Sequence, residues 1–435
     1  MARIFARQIG PAANRDSAGA PATPKRWLIV CLDGVPLSLM QSLWNSGHFH
    51  EFSAPTALVS TFPSDTETAL TAVLHAMPAP GYEQSYYDRA ANAMRGGAVV
   101  TLSGAGVPYI RSLDYDTNGW FKVLAYLAPS WIYRGDLSGF NKKFEAGSVP
   151  VFTAHIATAD ALLHVRTAEQ VAPLLVEFDD AARALYDAAH GQLGMIVFSD
   201  HGNTETLSHA VPVESFLASR GWHIRGSLGG PRDVVIPSYG LVAFAAIYCQ
   251  PESIEHLAED LRGVEGADFI VSHEPAEERA TIRAAGSDAT AQLAWSHDGR
   301  RYRYAAHGGD PLGLAAVFDD LRAQRKLDSD GFATDEDLFA ATSSSLYPDS
   351  ATRIRAWASD HVRNRSDILV SFKPGYHHGS RFFSHVVRLV GTHGGLEKSG
   401  SIGFAMATYP LAPSMRLEDL LPPNLLGTSG NRRQR

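Results

Sequence analysis

The sequence predicts an α/β protein: a mostly parallel central sheet flanked by helices, carrying an inserted α+β cap. Short continuous apolar runs that end at acidic residues alternate with stretches of helical periodicity, the pattern of strands covered on both faces. Between about Tyr239 and Ser366 the texture changes to partly alternating segments with their own turn signals, which marks an insertion.

Residues 1–26 are rich in Ala, Pro, Gly and Arg and are expected to form a disordered tail. The core spans 27–238 and 367–425. Trp27-Leu28-Ile29-Val30-Cys31-Leu32 is its first strand and stops at Asp33-Gly34, after which Val35 to Trp44 reads as a helix. Pro63 ends the next segment, so Thr66 to Leu74 can begin a helix. Val151-Phe152-Thr153-Ala154 precedes Asp160, and Met195-Ile196-Val197-Phe198 runs into Ser199-Asp200-His201-Gly202. Between them Thr167 and Gln170 suit a capping box, and Val171, Leu174, Leu175, Phe178, Ala182 and Leu185 recur at helical spacing. Pro173 fits a first turn better than an interior, which moves the expected start of that helix toward Ala172.

The inserted cap is assigned to 239–366. His297-Asp298-Gly299 signals a hairpin whose Arg300, Arg301 and Arg303 form a basic patch, and helical stretches follow at Leu312–Gln324 and Ala351–Val362. The core is expected to resume at Asp367-Ile368-Leu369-Val370-Ser371-Phe372, and residues 426–435 are expected to form a second disordered tail.

A net charge of -8 over 435 residues argues against a nucleic-acid polymer or an anionic membrane as partner. A small anionic substrate stays compatible, because bound cations invert the local field. Cys31 and Cys249, the only two cysteines, form no disulfide framework, and Cys31 reads as a buried thiol. The sequence lacks both a transmembrane-length apolar run and the apolar segment of a signal peptide, so a cytoplasmic location is expected.

Asp33, Asp160, His164, Asp200, His201 and His393 offer three carboxylates and three imidazoles, and Thr66 adds a hydroxyl. This is the inventory of a site for two divalent metals with an alkoxide nucleophile. Taken alone, each motif has a plain structural reading. Asp160 and His164 share one helical face and can grip an ion, or form a surface pair. Asp33 and Asp200-His201 follow strands, where Asp and Gly also build turns. His393 precedes Gly394-Gly395, which let the backbone approach a ligand, or is a structural histidine. Thr66 at a helix start faces an incoming phosphate with free N–H groups, or is only an N-cap.

The ordered set Leu32-Asp33-Gly34, Phe62-Pro63-Ser64-Asp65-Thr66, Asp160-x-x-x-His164, Ser199-Asp200-His201-Gly202 and Gly391-Thr392-His393-Gly394 resembles the alkaline phosphatase superfamily. Within it the chain is most similar to the type I phosphodiesterase / nucleotide pyrophosphatase branch. The resemblance implies an alkaline-phosphatase-like sandwich. One ion would be held by Asp160, His164 and His393 and the other by Asp33, Asp200 and His201, with Thr66 attacking. The ions would be Zn²⁺, with Mn²⁺ as alternative. The implied activity is hydrolysis of phosphodiester or pyrophosphate bonds in a small phosphorylated substrate through a phosphothreonine-type intermediate. Phosphomonoester or phosphonate cleavage, or a phosphomutase, would use the same site. One departure bears on the substrate. The branch usually carries an Asn further along the nucleophile's helix, whereas here none occurs between Thr66 and Tyr87, and Asp65 and Glu67 flank the threonine. The missing oxygen contact is therefore expected from a backbone N–H or from a basic residue of the insertion.

Overall fold

Residues 27–32 alternate between two apolar layers, and this places the first strand, Arg26–Leu32, inside a sheet covered on both faces. Leu28, Val30 and Leu32 pack toward the helices Pro129–Ala146 and Ala168–Ala188, while Ile29 and Cys31 pack toward Leu70 and Val73 of the helix Thr66–Val73. The computed structural model describes residues 24–97, 106–125, 128–273, 277–359, 361–380 and 387–426. The two expected tails fall almost wholly outside them.

The first sheet has seven strands in the order Ser414–Arg416, Thr56–Val59, Ile402–Ala407, Leu193–Phe198, Arg26–Leu32, Val151–Ile156 and Tyr115–Asp116. Only Ile402–Ala407 runs against its neighbours, so the sheet is mostly parallel as expected. Cys31 pairs with both His155 and Phe198, so the three central strands end at one level. That register delivers Asp33, the helix bearing Asp160, and Asp200-His201 to the same edge, where ligands collect in such sheets.

The helix Ala168–Ala188 begins with the capping box of Thr167 and Gln170 and keeps Pro173 in its interior. The box pins the first turn, so the start stays at Ala168 despite the proline. The helix Thr66–Val73 is short and gains its stability from packing. Leu70 and Val73 are fully buried, each worth roughly 1.5–3 kcal/mol.

A second seven-stranded sheet runs Phe244–Ile247, Ile368–Phe372, Ala267–His273, Arg279–Ala284, Thr290–Trp295, Arg301–His307 and Ala333–Thr334. The hairpin at Asp298-Gly299 is present, with Trp295 opposite Tyr302. Ile368–Phe372, where the core is expected to resume, lies between Phe244–Ile247 and Ala267–His273 of this second sheet, antiparallel to both. A wholly buried apolar strand satisfies either sheet equally, so its composition carries no address. The helices Leu314–Ala323 and Ser350–Ser359 pack Leu314, Phe318, Ile354 and Trp357 against this sheet. Among the described residues no helix is long and apolar enough to cross a membrane.

Candidate metal centre and nucleophile

Each expected site residue is carried to one point by a different local device. Asp33 follows Leu32 directly and is 3% exposed. Gly34 then turns with φ +69°, and a Cβ there would stand 2.6 Å from Asp160 Oδ1, so only glycine lets the two segments meet. Asp160 and His164 share one turn of the helix Thr158–Val165, with His164 Nε2 3.1 Å from Asp160 Oδ2. Asp200 accepts Gly34 N–H at 3.2 Å, and its own carbonyl accepts Ser60 Oγ at 2.6 Å. His393 lies in a loop, where Gly394 takes φ +113° and a Cβ would meet Phe244 at 2.7 Å.

These side chains converge. His201 Nε2 lies 3.4 Å from Asp33 Oδ1 and 3.5 Å from Asp200 Oδ2. The His201 and His393 rings stack with centroids 3.8 Å apart, and His393 Nε2 is 3.7 Å from Asp160 Oδ1. Thr66 Oγ1 is 3.5 Å from Asp33 Oδ2. Donor atoms of Asp33, Asp200 and His201 lie within 4.8 Å of one another, as do those of Asp160, His201 and His393. His201 thus stands between the two groups, and His164 completes the second through Asp160.

The residues fit divalent metals. Backbone carbonyls face Nδ1 of all three histidines: Gly391 for His164, Gly202 for His201 and Ser64 for His393. A proton donated to each would leave Nε2 able to coordinate a metal. Asp33 Oδ1, Asp160 Oδ1, Asp200 Oδ2 and His201 Nε2 are buried without a hydrogen-bond partner. Orphaned polar atoms of this kind are costly unless something positive joins them.

Electrostatics agree. Burial, then the charge of Asp200, pushes Asp33 up to about 7. Burial opposes the ionised form of Asp160, yet His164 and His393 outweigh it and hold Asp160 below its ordinary value. Burial likewise opposes charge on His164 and His201, but Asp160 raises the first and Asp200 with Asp33 the second. Burial and His201 press His393 down to about 3. The carboxylates therefore favour the charged form of His164 and His201 but not of His393, and a bound cation would offer the same carboxylates a positive partner.

A second layer was not anticipated. His155 Nε2 meets Asp33 Oδ2 at 2.9 Å, His155 Nδ1 meets Asp116 Oδ1 at 2.8 Å, and Lys122 Nζ reaches Asp116 Oδ2 at 2.9 Å. Burial disfavours a charged His155, but Asp116 and Asp33 prevail and hold it at about 10. The available signal was a histidine inside the buried run Val151–Ile156, where an apolar residue belongs.

The centre opens into a cleft of about 210 Å³ lined by Thr66, Asp160, His164, Lys122, Glu83 and Tyr239 among others. Asp65 and Glu67 line it too, and burial raises both. Thr68 Oγ1 donates to Asp65, while Lys122 and Gln84 act on Glu67. Arg300, Arg301 and Arg303 are absent from the lining; Arg301 pairs with Asp328 at 2.8 Å and Arg303 lies over Phe332. His377 and His378 are buried outside the cleft, against Ser208 and Glu214.

No family model and no curated protein matches the chain. Among solved structures, human ectonucleotide pyrophosphatase / phosphodiesterase 5 gives a TM-score of 0.50 at 12% identity, over 92% of this chain and 94% of that one. Phosphonoacetate hydrolase from Sinorhizobium meliloti 1021, in complex with phosphonoacetate, gives 0.48 at 12% identity, over 95% of this chain and 97% of that one. At such identities the likeness concerns architecture alone. The chain has the α/β fold of the alkaline phosphatase superfamily.

Proposed function

We propose that this protein is a two-metal hydrolase of phosphodiester or pyrophosphate bonds in a small phosphorylated substrate, with Thr66 as nucleophile. The observation that carries the reading is the ring of buried, partnerless ligand atoms beside Thr66 Oγ1. The name of the human protein with the same fold agrees with it. Asp160, His164 and His393 would hold one ion, and Asp33, Asp200, His201 and Thr66 the other. The mixed N/O donor set suits Zn²⁺, with Mn²⁺ as the alternative. Such ions supply Lewis-acid polarisation of the Thr66 hydroxyl and of the phosphoryl oxygens.

The protein's own groups do the remaining work. Asp33 Oδ2, held by His155, faces the Thr66 hydroxyl and orients it. Thr66 Oγ1 gives up its proton to solvent and attacks phosphorus, forming an O–P bond as the P–O bond to the leaving group breaks. The leaving oxygen departs with that electron pair and takes a proton from water. Water then cleaves the phosphothreonine ester and returns the hydroxyl. The N-terminus of the helix Thr66–Val73 would offer first-turn N–H groups to the phosphoryl oxygens in place of the contact that an Asn makes. The region 239–366 acts as a cap, since Tyr239 to Val242 form part of the cleft wall.

The test combines metal analysis with p-nitrophenyl mono- and diesters in Zn²⁺ or Mn²⁺. The expected result is two ions per chain and turnover of the diester. A replete preparation with one ion or none refutes the centre. Two ions with turnover of monoesters alone keeps the centre and replaces the reaction.

A further inference from the structure

Arg353 is 4% exposed, and among the described residues its guanidinium donates to no carboxylate, although the charge of Asp349 acts on it. Its helix, Ser350–Ser359, belongs to the region assigned to the cap. Nε and Nη2 both donate to the Thr61 carbonyl, at 3.2 and 2.9 Å, and Nη2 also donates to Ser64 Oγ at 2.9 Å. Nη1 donates to the carbonyls of Pro348 at 3.1 Å and Leu396 at 3.0 Å. Every acceptor is a neutral oxygen, and two of the acceptor segments belong to the site. Thr61 to Ser64 lead directly into Thr66, and Leu396 follows His393.

Ser64 stands where those segments touch. Its Oγ lies 2.9 Å from the Thr61 carbonyl and 3.1 Å from the Gly395 carbonyl. Its N–H donates to Gly394 at 3.2 Å, and its carbonyl faces His393 Nδ1 at 2.8 Å. The residue that sets the orientation of His393 is therefore itself braced by Arg353.

We propose that Arg353 is a positioning residue through which the cap fixes the spacing between the nucleophile Thr66 and the ligand His393. This rests on the two-metal reading above. Burying a guanidinium among neutral acceptors is expensive, and a well-packed apolar side chain would fill the space at lower cost. What the planar fork supplies is reach: one group ties three backbone segments in a fixed geometry. A lysine keeps the charge but cannot bridge both Thr61 and Leu396 while also reaching Ser64.

The test compares Arg353→Lys, Arg353→Met and Ser64→Ala with the wild type. Circular dichroism, competitive metal titration, and separate kcat and KM values on a p-nitrophenyl diester are measured for each. Arg353→Lys and Arg353→Met should keep the wild-type spectrum, bind one of the two ions about 10–100-fold more weakly and lose kcat with little change in KM. The other ion should titrate as in the wild type. Ser64→Ala leaves four of the five donations intact, so it should fold and show a smaller weakening of the same ion.

Folded Arg353→Lys with both ions and kcat at wild-type values overturns the proposal. If neither arginine variant folds, Ser64→Ala decides, and unchanged ion affinity and kcat in that variant overturn it as well. Failure of the underlying reading looks different, because the wild type itself would then lack two ions or be indifferent to Thr66→Ala.

Discussion

Asp33, Asp200 and His201 leave the carboxyl ends of paired parallel strands, whereas Asp160 and His164 ride on an eight-residue helix and His393 on a loop. The first group inherits its geometry from the register of the sheet, where Cys31 opposes Phe198. The second is assembled by hydrogen bonds that cross the fold: His164 Nδ1 with Gly391, His393 Nδ1 with Ser64, and Arg353 with Thr61 and Leu396. A candidate ligand set by strand register moves only if the sheet moves. One set by loop contacts depends on every partner in the chain of contacts, so the loop-borne half is the more easily detuned.

The largest effect tests the point where the halves meet. Thr66→Ala removes the oxygen 3.5 Å from Asp33 while leaving all six side-chain ligands. Activity should fall by about 10³-fold or more, with metal content unchanged. Thr66→Ser should keep part of the rate, since a primary hydroxyl can still attack. Retention of configuration at a chiral phosphorothioate diester checks the two-displacement route, and inversion by the wild type excludes it.

Metal content separates the halves next. His393→Ala should weaken one ion and spare the other, because Asp33, Asp200 and His201 remain. Asp200→Ala should do the reverse and also cost stability. It removes the acceptor of Gly34 N–H inside a fully buried turn, a loss of about 1–3 kcal/mol. Competitive chelator titration with thermal unfolding reads both. Equal loss of both ions in either variant would mean one fused site, a real alternative because His201 belongs to both ligand groups.

Gly34→Ala couples the halves by force. At φ +69° the new methyl sits 2.6 Å from Asp160 Oδ1, so the strand-borne turn pushes on the helix-borne ligand. The backbone term is about 1–3 kcal/mol, and the displaced carboxylate should weaken the ion at Asp160 more than the ion at Asp200. A crystal structure of the variant with Asp160 unmoved would show that the contact carries no information between the halves.

Legibility in the sequence followed the same division. Strand-end residues were readable because a charged side chain closing a doubly buried run needs a partner. Asp160 and His164 were readable because four residues make one helical turn. His155, Asp116 and Arg353 were missed, since their partners lie far along the chain: 39 residues separate His155 from Asp116, and 292 separate Arg353 from Thr61. No local pattern encodes a contact across such distances. The strand Ile368–Phe372, read from sequence as the point where the core resumes, pairs with Phe244–Ile247 and Ala267–His273 in the second sheet, since burial sets its composition and pairing sets its place. The helix at Pro173 ran through the proline because a reciprocal cap outweighed one lost hydrogen bond.

The smallest expected effect concerns the basic hairpin of the cap, which the sequence offered as a substrate contact. Phe244–Ile247 stands at the site, since Ala243 N–H donates to the His393 carbonyl at 2.6 Å. Arg301–His307 is five strands further along the same sheet. At ~4.8 Å per strand this is about 24 Å away, beyond the Debye length of about 8 Å at physiological salt. Arg301 is already paired with Asp328 and Arg303 lies over Phe332. Replacing Arg300, Arg301 and Arg303 together by alanine should therefore leave kcat/KM for a small diester within about twofold, while Arg353→Lys, on a helix packed against the same sheet, does not. A tenfold loss in the triple variant, reversed by raising salt or by a smaller substrate, would mean that the substrate extends across the cap and reaches the hairpin.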